Sequence, residues 1–327
     1  MILLCTTFVF RMLLGANYDW DTGVGAVMVN KRSVMKSSLT GRPTNWTSRF
    51  ASITVNQYGR DFPTGGMNEA GVAVALMALD ETRYPDVDER TSVGVLGWIQ
   101  YQLDMSESID EVIERSERVR IALGGKGVHY LVTDRTGRTA TIEFLDGVLV
   151  AHHDGSLPVQ VLANDTYDRS LAYFRSIRTV PNGIGSLERF ARAATLISQS
   201  PANANAVSRA FTILDAVKQP NYTKWSVVYD SASLTVHVRT DRAPNVRTIS
   251  FAEVDGSCNT AVRVADINDG EMLFSDYSSD ANLVLVNTAY DQTPFLAGAS
   301  AEDRRATAMH PETDVCFQPQ RSRAVRR

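Results

Sequence analysis

Cysteine is scarce in this chain. Three occur in 327 residues, Cys5, Cys258 and Cys316, and no two lie close together. That spacing excludes a disulfide-rich scaffold and a CxxC zinc site, and leaves a single Cys258–Cys316 bridge open. Histidine is nearly as rare: His129, His152, His153, His237 and His310 form no HExxH or similar ligand spacing, so no metal is expected. No apolar run approaches the roughly 20 residues of a membrane-spanning helix, so no membrane span is expected. A net charge of -4 gives no electrostatic case for nucleic acid as a partner. GxSxG, GxxxxGK[ST] and a complete GxGxxG are all missing, which removes the common signatures of a serine-hydrolase elbow, a P-loop and a dinucleotide fold. There is no internal repeat, low-complexity tract or convincing linker.

What the chain does contain is strand-like. Residues 52–57 read as a short strand ending in a loop over 58–66, and 71–76 (GVAVAL) as a small-residue buried strand. HYLVTD, RTATIEFL and VLVAHH follow as hairpins, the second turn being Asp146-Gly147, a strong hairpin signal between alternating apolar runs. WSVVYD and LTVHVRT form another, joined by Ser231-Ala232-Ser233. His152 and His153, adjacent on a strand, point to opposite faces. Helices are expected over 108–119, 187–197 and 207–217, the last stopping at Lys218 with Pro220 beyond. Grouped hairpins and separately grouped helices argue for an α+β domain of antiparallel sheets covered by helices. The polar stretch 301–327, ending RSRAVRR, reads as a mobile tail.

The chemistry turns on the opening MILLCTTFVF. A free cysteine between apolar residues is ordinarily a small buried hydrophobe. A cysteine at a mature N-terminus is different. Its own α-amino group, with an ordinary pKa of about 7.7–8.0, can take the thiol proton, so no histidine is needed. Residues 1–4 would have to be removed first. They are too few for a signal peptide. The compartment is therefore read as cytoplasmic if the chain starts there, and as periplasmic or secreted if a signal precedes it.

Cys5-Thr6-Thr7-Phe8, Gly15-Ala16-Asn17-Tyr18-Asp19-Trp20 and Val29-Asn30-Lys31-Arg32 resemble the opening of the choloylglycine hydrolase/penicillin V acylase family. The resemblance continues through Asn56-Gln57-Tyr58-Gly59-Arg60-Asp61-Phe62-Pro63, Gly65-Gly66-Met67-Asn68-Glu69-Ala70-Gly71 and Leu79-Asp80-Glu81-Thr82-Arg83-Tyr84-Pro85. Val161-Leu162-Ala163-Asn164-Asp165 and Trp225-Ser226 extend it, so that it runs from Cys5 to about Asn287. Each piece is short; their order and number make the match specific. It implies an N-terminal-nucleophile hydrolase with a four-layer αββα sandwich, a single domain over 5–300, and a 1–4 leader lost on maturation.

The resemblance also implies roles. Cys5 matches the nucleophile, and Asp19 a carboxylate that orients its α-amine. Asn164 matches a side-chain donor to the oxyanion, and Arg189 an arginine near the cysteine. A second, backbone donor falls at Ala78, where only the amide is required. Without their neighbours, Asp19 and Asn164 would read as turn or cap residues and Arg189 as helix surface. Two departures stand out. The position before Asn17 usually carries arginine or lysine and here is Ala16, which removes a cation that would favour the thiolate. The hairpin after Phe10 is short, with Arg11 in its turn as a conceivable replacement for that cation. The expected function is cleavage of a linear amide C–N bond through a thioester, without metal or organic cofactor. Expected substrates are small N-acyl compounds of the penicillin V, conjugated bile salt or N-acyl homoserine lactone type. An acid-ceramidase-like lipid amidase and a catalytically silent acyl-binding relative are the alternatives, and assembly into a homo-oligomer is left open.

Overall fold

The computed structural model describes residues 5–122, 126–180 and 182–317. Among them, a six-stranded sheet runs in the order Val161–Leu162, Thr6–Phe10, Leu13–Asp19, Thr223–Asp230, Thr235–Thr240 and Arg247–Ser250. A nine-stranded sheet runs in the order Val148–His153, Thr139–Leu145, Val128–Thr133, Ala73–Ala78, Pro63–Asn68, Ser52–Asn56, Ala26–Asn30, Arg263–Asp266 and Ser275–Asp276. Every pairing within these two sheets is antiparallel.

The two sheets meet face to face, with Thr6–Phe10 and Leu13–Asp19 lying over Ala73–Ala78. Helices Ser186–Ser198 and Ala206–Ala216 cover the outer face of the first sheet. Val95–Met105 and Ile109–Arg118 cover that of the second. The result is the expected αββα sandwich, with one apolar core between the sheets and another under Trp98, whose ring stacks 4.1 Å from that of Tyr130. The layering explains why the central strands are buried so completely: a helix layer takes one face and the opposite sheet takes the other, so Thr6–Phe10 has no exposed residue.

The glycine-rich motif belongs to a strand where a loop was expected. Pro63–Asn68 pairs with both of its neighbours. A side chain at Gly66 would meet Leu103 Cδ1 at 2.7 Å and Thr54 Cγ2 at 2.8 Å, so the bare backbone is what lets helix Val95–Met105 approach. Asn68 then closes the turn, accepting from Ala70 and Val72 N–H and donating to Leu103 and Ser106 carbonyls.

The tail expectation is corrected over 301–317. Ala301–Met309 is a helix capped by Ser300, and Val315–Cys316 adds a strand to Val34–Ser37. Cys258 and Cys316 are joined as a disulfide. Asp314 pairs with Arg60 at 2.8 Å, both buried, beside Lys36, which bridges Asp61 at 2.7 Å and Asp104 at 3.2 Å. Arg60 of the Asn56–Pro63 motif is thus used to hold the C-terminal segment. A polar composition concealed this because the segment is anchored by a bridge and an ion-pair network more than by apolar burial. Residues 318–327, the rest of the expected tail, and the leader 1–4 lie outside the described residues.

Candidate active site

Strand alternation sorts the first hairpin into two faces. Thr7 Oγ1 donates to Met77 Sδ on the second sheet at 2.8 Å, so Cys5 and Thr7 face inward. Thr6 and Asn17 face the helices, Asn17 Nδ2 donating to Leu214 O at 2.8 Å. The two strands join by a two-residue turn at Arg11 and Met12, both at positive φ. Arg11 lies about 20 Å along the strand from Cys5. It donates to the carbonyls of Pro201 and Ala202, both at 2.8 Å, so it does not replace the missing cation.

Arg189 does stand at Cys5. It projects from helix Ser186–Ser198, fully buried, and Nη1 donates to Cys5 O at 2.7 Å and also to Thr6 Oγ1. Nη2 donates to Asn164 Oδ1 at 2.8 Å. With Oδ1 so held, the amide of Asn164 is fixed in one orientation, and Nδ2 donates to Ala78 O at 2.8 Å. Leu79 gives its N–H to Gly127 O at 3.0 Å; by the alternation of an antiparallel ladder, the amide and carbonyl of Ala78 point the other way, towards Asn164. The expected residues therefore converge: Arg189 on Cys5 and Asn164, Asn164 on Ala78.

Asp19 completes the group. Cys5 Sγ lies 3.9 Å from Asp19 O. Asp19 Oδ1 accepts from Thr223 Oγ1 at 2.5 Å, while Oδ2 is buried with no hydrogen-bond partner among the described residues. Burial pushes the Asp19 carboxyl up to about 7, against the lowering effects of the Thr223 hydroxyl and Arg189. Burial, then the Asp19 charge, push the Cys5 thiol up to about 12, although the Asp19 backbone and Arg189 oppose this. Burial also lowers Arg189 from its ordinary value. Thr223 was not singled out in the sequence; its signal is its place opposite Asp19 in the strand ladder, two residues before Trp225-Ser226.

A cavity of about 420 Å³ opens at Cys5 and Ala78. Its walls are largely apolar and include an aromatic side, with Tyr18, Trp20 and Tyr58 meeting Tyr290 and Phe295 from the C-terminal part of the chain. Tyr18 stacks on Trp225 at 4.1 Å and donates to Gln57 Oε1 at 2.7 Å, which fixes its ring in the cavity wall. Ala16, on the same inward face as Cys5, lines a separate void of only about 20 Å³ with Trp225 and Tyr229. Among the described residues, no three His, Cys, Asp or Glu side chains are placed to hold a metal ion, and no helix is long and apolar enough to cross a membrane.

The two-sheet sandwich thus sets a buried cysteine, an arginine-held asparagine and a largely apolar cavity side by side. Residues 3–182 match the linear amide C–N hydrolases, choloylglycine hydrolase family, and the chain belongs to that family of amide hydrolases. It is 26% identical to a penicillin V acylase of Pectobacterium atrosepticum over 78% of this chain and 84% of that protein. The solved penicillin V acylase of Agrobacterium tumefaciens superposes with a TM-score of 0.71 at 24% identity, covering 84% of this chain and 98% of that one. A mutant of the conjugated bile acid hydrolase from Clostridium perfringens gives 0.67 at 15% identity, covering 84% and 97%. At those identities the two structures speak for the fold.

Proposed function

We propose that Cys5, once it is the N-terminal residue, is the nucleophile that cleaves a small N-acyl amide. The observation that carries this is the orphaned Asp19 Oδ2 at the strand end beside Cys5. A buried carboxylate oxygen without a donor is costly, and an α-ammonium on Cys5 is the group that would satisfy it. In the leader-bearing chain that nitrogen is an amide, and burial holds the thiol up at about 12, which favours its protonated form. Removing residues 1–4 supplies the base and the cation together.

The α-amine then takes the thiol proton, and the thiolate attacks the amide carbonyl. The oxyanion is received by Asn164 Nδ2–H and Ala78 N–H, and the α-ammonium protonates the leaving amine. Water attacks the resulting thioester and releases the acid. Arg189 touches no substrate atom in this scheme; it holds Cys5 O and Asn164 Oδ1 and so acts as a positioning residue. The largely apolar cavity suits an apolar acyl group, and phenoxyacyl penicillins fit that description, as do bile salts and N-acyl homoserine lactones.

Intact mass and N-terminal sequencing of an active preparation test the reading. The active species is expected to begin at Cys5, and Cys5→Ser to abolish amide hydrolysis. Active enzyme that still reads Met-Ile-Leu-Leu, or a serine variant with unchanged turnover, would overturn it.

A further inference from the structure

The two oxyanion donors come from different sheets. Asn164 follows strand Val161–Leu162 of the first sheet, whereas Ala78 ends strand Ala73–Ala78 of the second. Apolar packing between two sheets is non-directional and does not fix their relative position to a few tenths of an ångström. The Asn164 Nδ2–Ala78 O bond joins the side chain of one donor to the backbone of the other, and a second directional contact is needed to hold the Asn164 backbone itself.

His129 makes one. It lies on strand Val128–Thr133 opposite Met77, one residue from the Val128–Ala78 pair, and is fully buried. Its Nε2 lies 2.7 Å from Ala163 O, the carbonyl immediately before Asn164. Its Nδ1 lies 2.9 Å from Glu143 Oε1 on the neighbouring strand. A carbonyl only accepts, so Nε2 carries a proton. Glu143 also accepts the Tyr167 N–H, at 3.0 Å to Oε1 and 3.3 Å to Oε2. The segment 163–167 is thereby clamped to the second sheet at both ends, by His129 at Ala163 and by Glu143 at Tyr167. Asn164 N–H is held separately, by Ser186 Oγ at 2.8 Å.

We propose that His129 is a positioning residue that sets the distance between the Asn164 and Ala78 donors by tying the Ala163 carbonyl to the second sheet, with Glu143 orienting its ring. This rests on the reading of Cys5, Asn164 and Ala78 given above. A buried His–Glu pair is expensive to bury and adds little stability over apolar side chains, so a role in geometry accounts for it better than a role in packing.

Steady-state hydrolysis, normalised to competent sites by titrating the reactive Cys5 thiol, tests this with His129→Leu and His129→Gln. His129→Leu is expected to lower kcat per titrated site by about 10- to 100-fold, the size associated with an ångström-scale misplacement, with KM within about twofold. His129→Gln keeps an N–H that can reach Ala163 O, and should recover much of that loss. Glu143→Gln is the second variant should the leucine not fold, and is expected to lower kcat with KM held. An unchanged kcat per titrated site, with only Tm or yield reduced, would overturn the positioning role. Cys5→Ala is run beside them. Hydrolysis retained there would overturn the nucleophile reading and this proposal together, whereas loss there with unchanged kcat in the His129 and Glu143 variants would overturn this proposal alone.

Discussion

Arg189 donates through Nη2 to Asn164 Oδ1 at 2.8 Å, and its other terminal nitrogen holds the carbonyl of Cys5 at 2.7 Å. One planar guanidinium thus fixes both the strand that carries the thiol and the amide that faces Ala78. The fork geometry is what makes this work, since a lysine ammonium offers a point charge where two directions are needed.

Arg189→Lys should therefore lower kcat by about 10²-fold, comparable to losing one oxyanion donor, while leaving KM nearly unchanged. Asn164→Ala should do the same, and the double variant should cost less than the sum because both act through one amide. Steady-state kinetics on the two single variants and the double variant check this; additive losses would show that Arg189 acts independently of Asn164.

Asp19 predicts a pH dependence of stability in the leader-bearing chain. Its folded pKa, about 7, is raised from 3.8, so the folded chain retains a proton that the unfolded chain has already released. Stability from this group is present below about pH 4, falls as pH rises through the interval to about 7, and is constant above it. The full span is on the order of a few kcal/mol. Urea unfolding of Cys5→Ala between pH 4 and 8 should show the fall, and Asp19→Asn in that background should remove it. Parallel curves would assign the effect elsewhere.

Ala16 borders a small void between the sheets. Its neighbours are Tyr18, Trp225 and Tyr229, and the void beside it holds about 20 Å³. Ala16→Arg should overpack this space and cost about 1–3 kcal/mol of stability. Thermal unfolding checks it. A variant as stable as the parent would mean that the side chain finds a route out towards Cys5, which its acceleration of thiol labelling would reveal.

The C-terminal segment forms part of the cavity wall. Phe295 meets Trp20 edge to face at 6.1 Å, and Tyr290 meets Tyr58 at the same distance. Phe295→Ala should raise KM for an aromatic acyl substrate by about 2- to 10-fold with kcat retained, the worth of one aromatic contact. Cys316→Ser opens the bridge to Cys258, 58 residues away, and should cost about 2–4 kcal/mol of stability. Calorimetry and a comparison of KM across acyl groups separate the two effects.

The sequence by itself determined the hairpins and, through its resemblance to a known family, the αββα class and the candidate groups of the site. Hairpin turns, alternation and the ordered motifs are local, and local chemistry is written in adjacent residues: Asp146-Gly147 could only turn, and Cys5, Asp19, Asn164 and Arg189 stood in a fixed order. Only the tertiary structure decided that Arg11 is spent on the Pro201 and Ala202 carbonyls at the far end of its strand, whereas Arg189 donates to the Cys5 carbonyl. It also decided that 301–317 is bound, since the Arg60–Asp314 pair and the Cys258–Cys316 bridge join positions 254 and 58 residues apart. His129 carried no signal of its own: its two partners, Glu143 and Ala163, come from another strand and the other sheet. Contacts between sheets leave no periodicity in the chain, and they are where the geometry of this site is set.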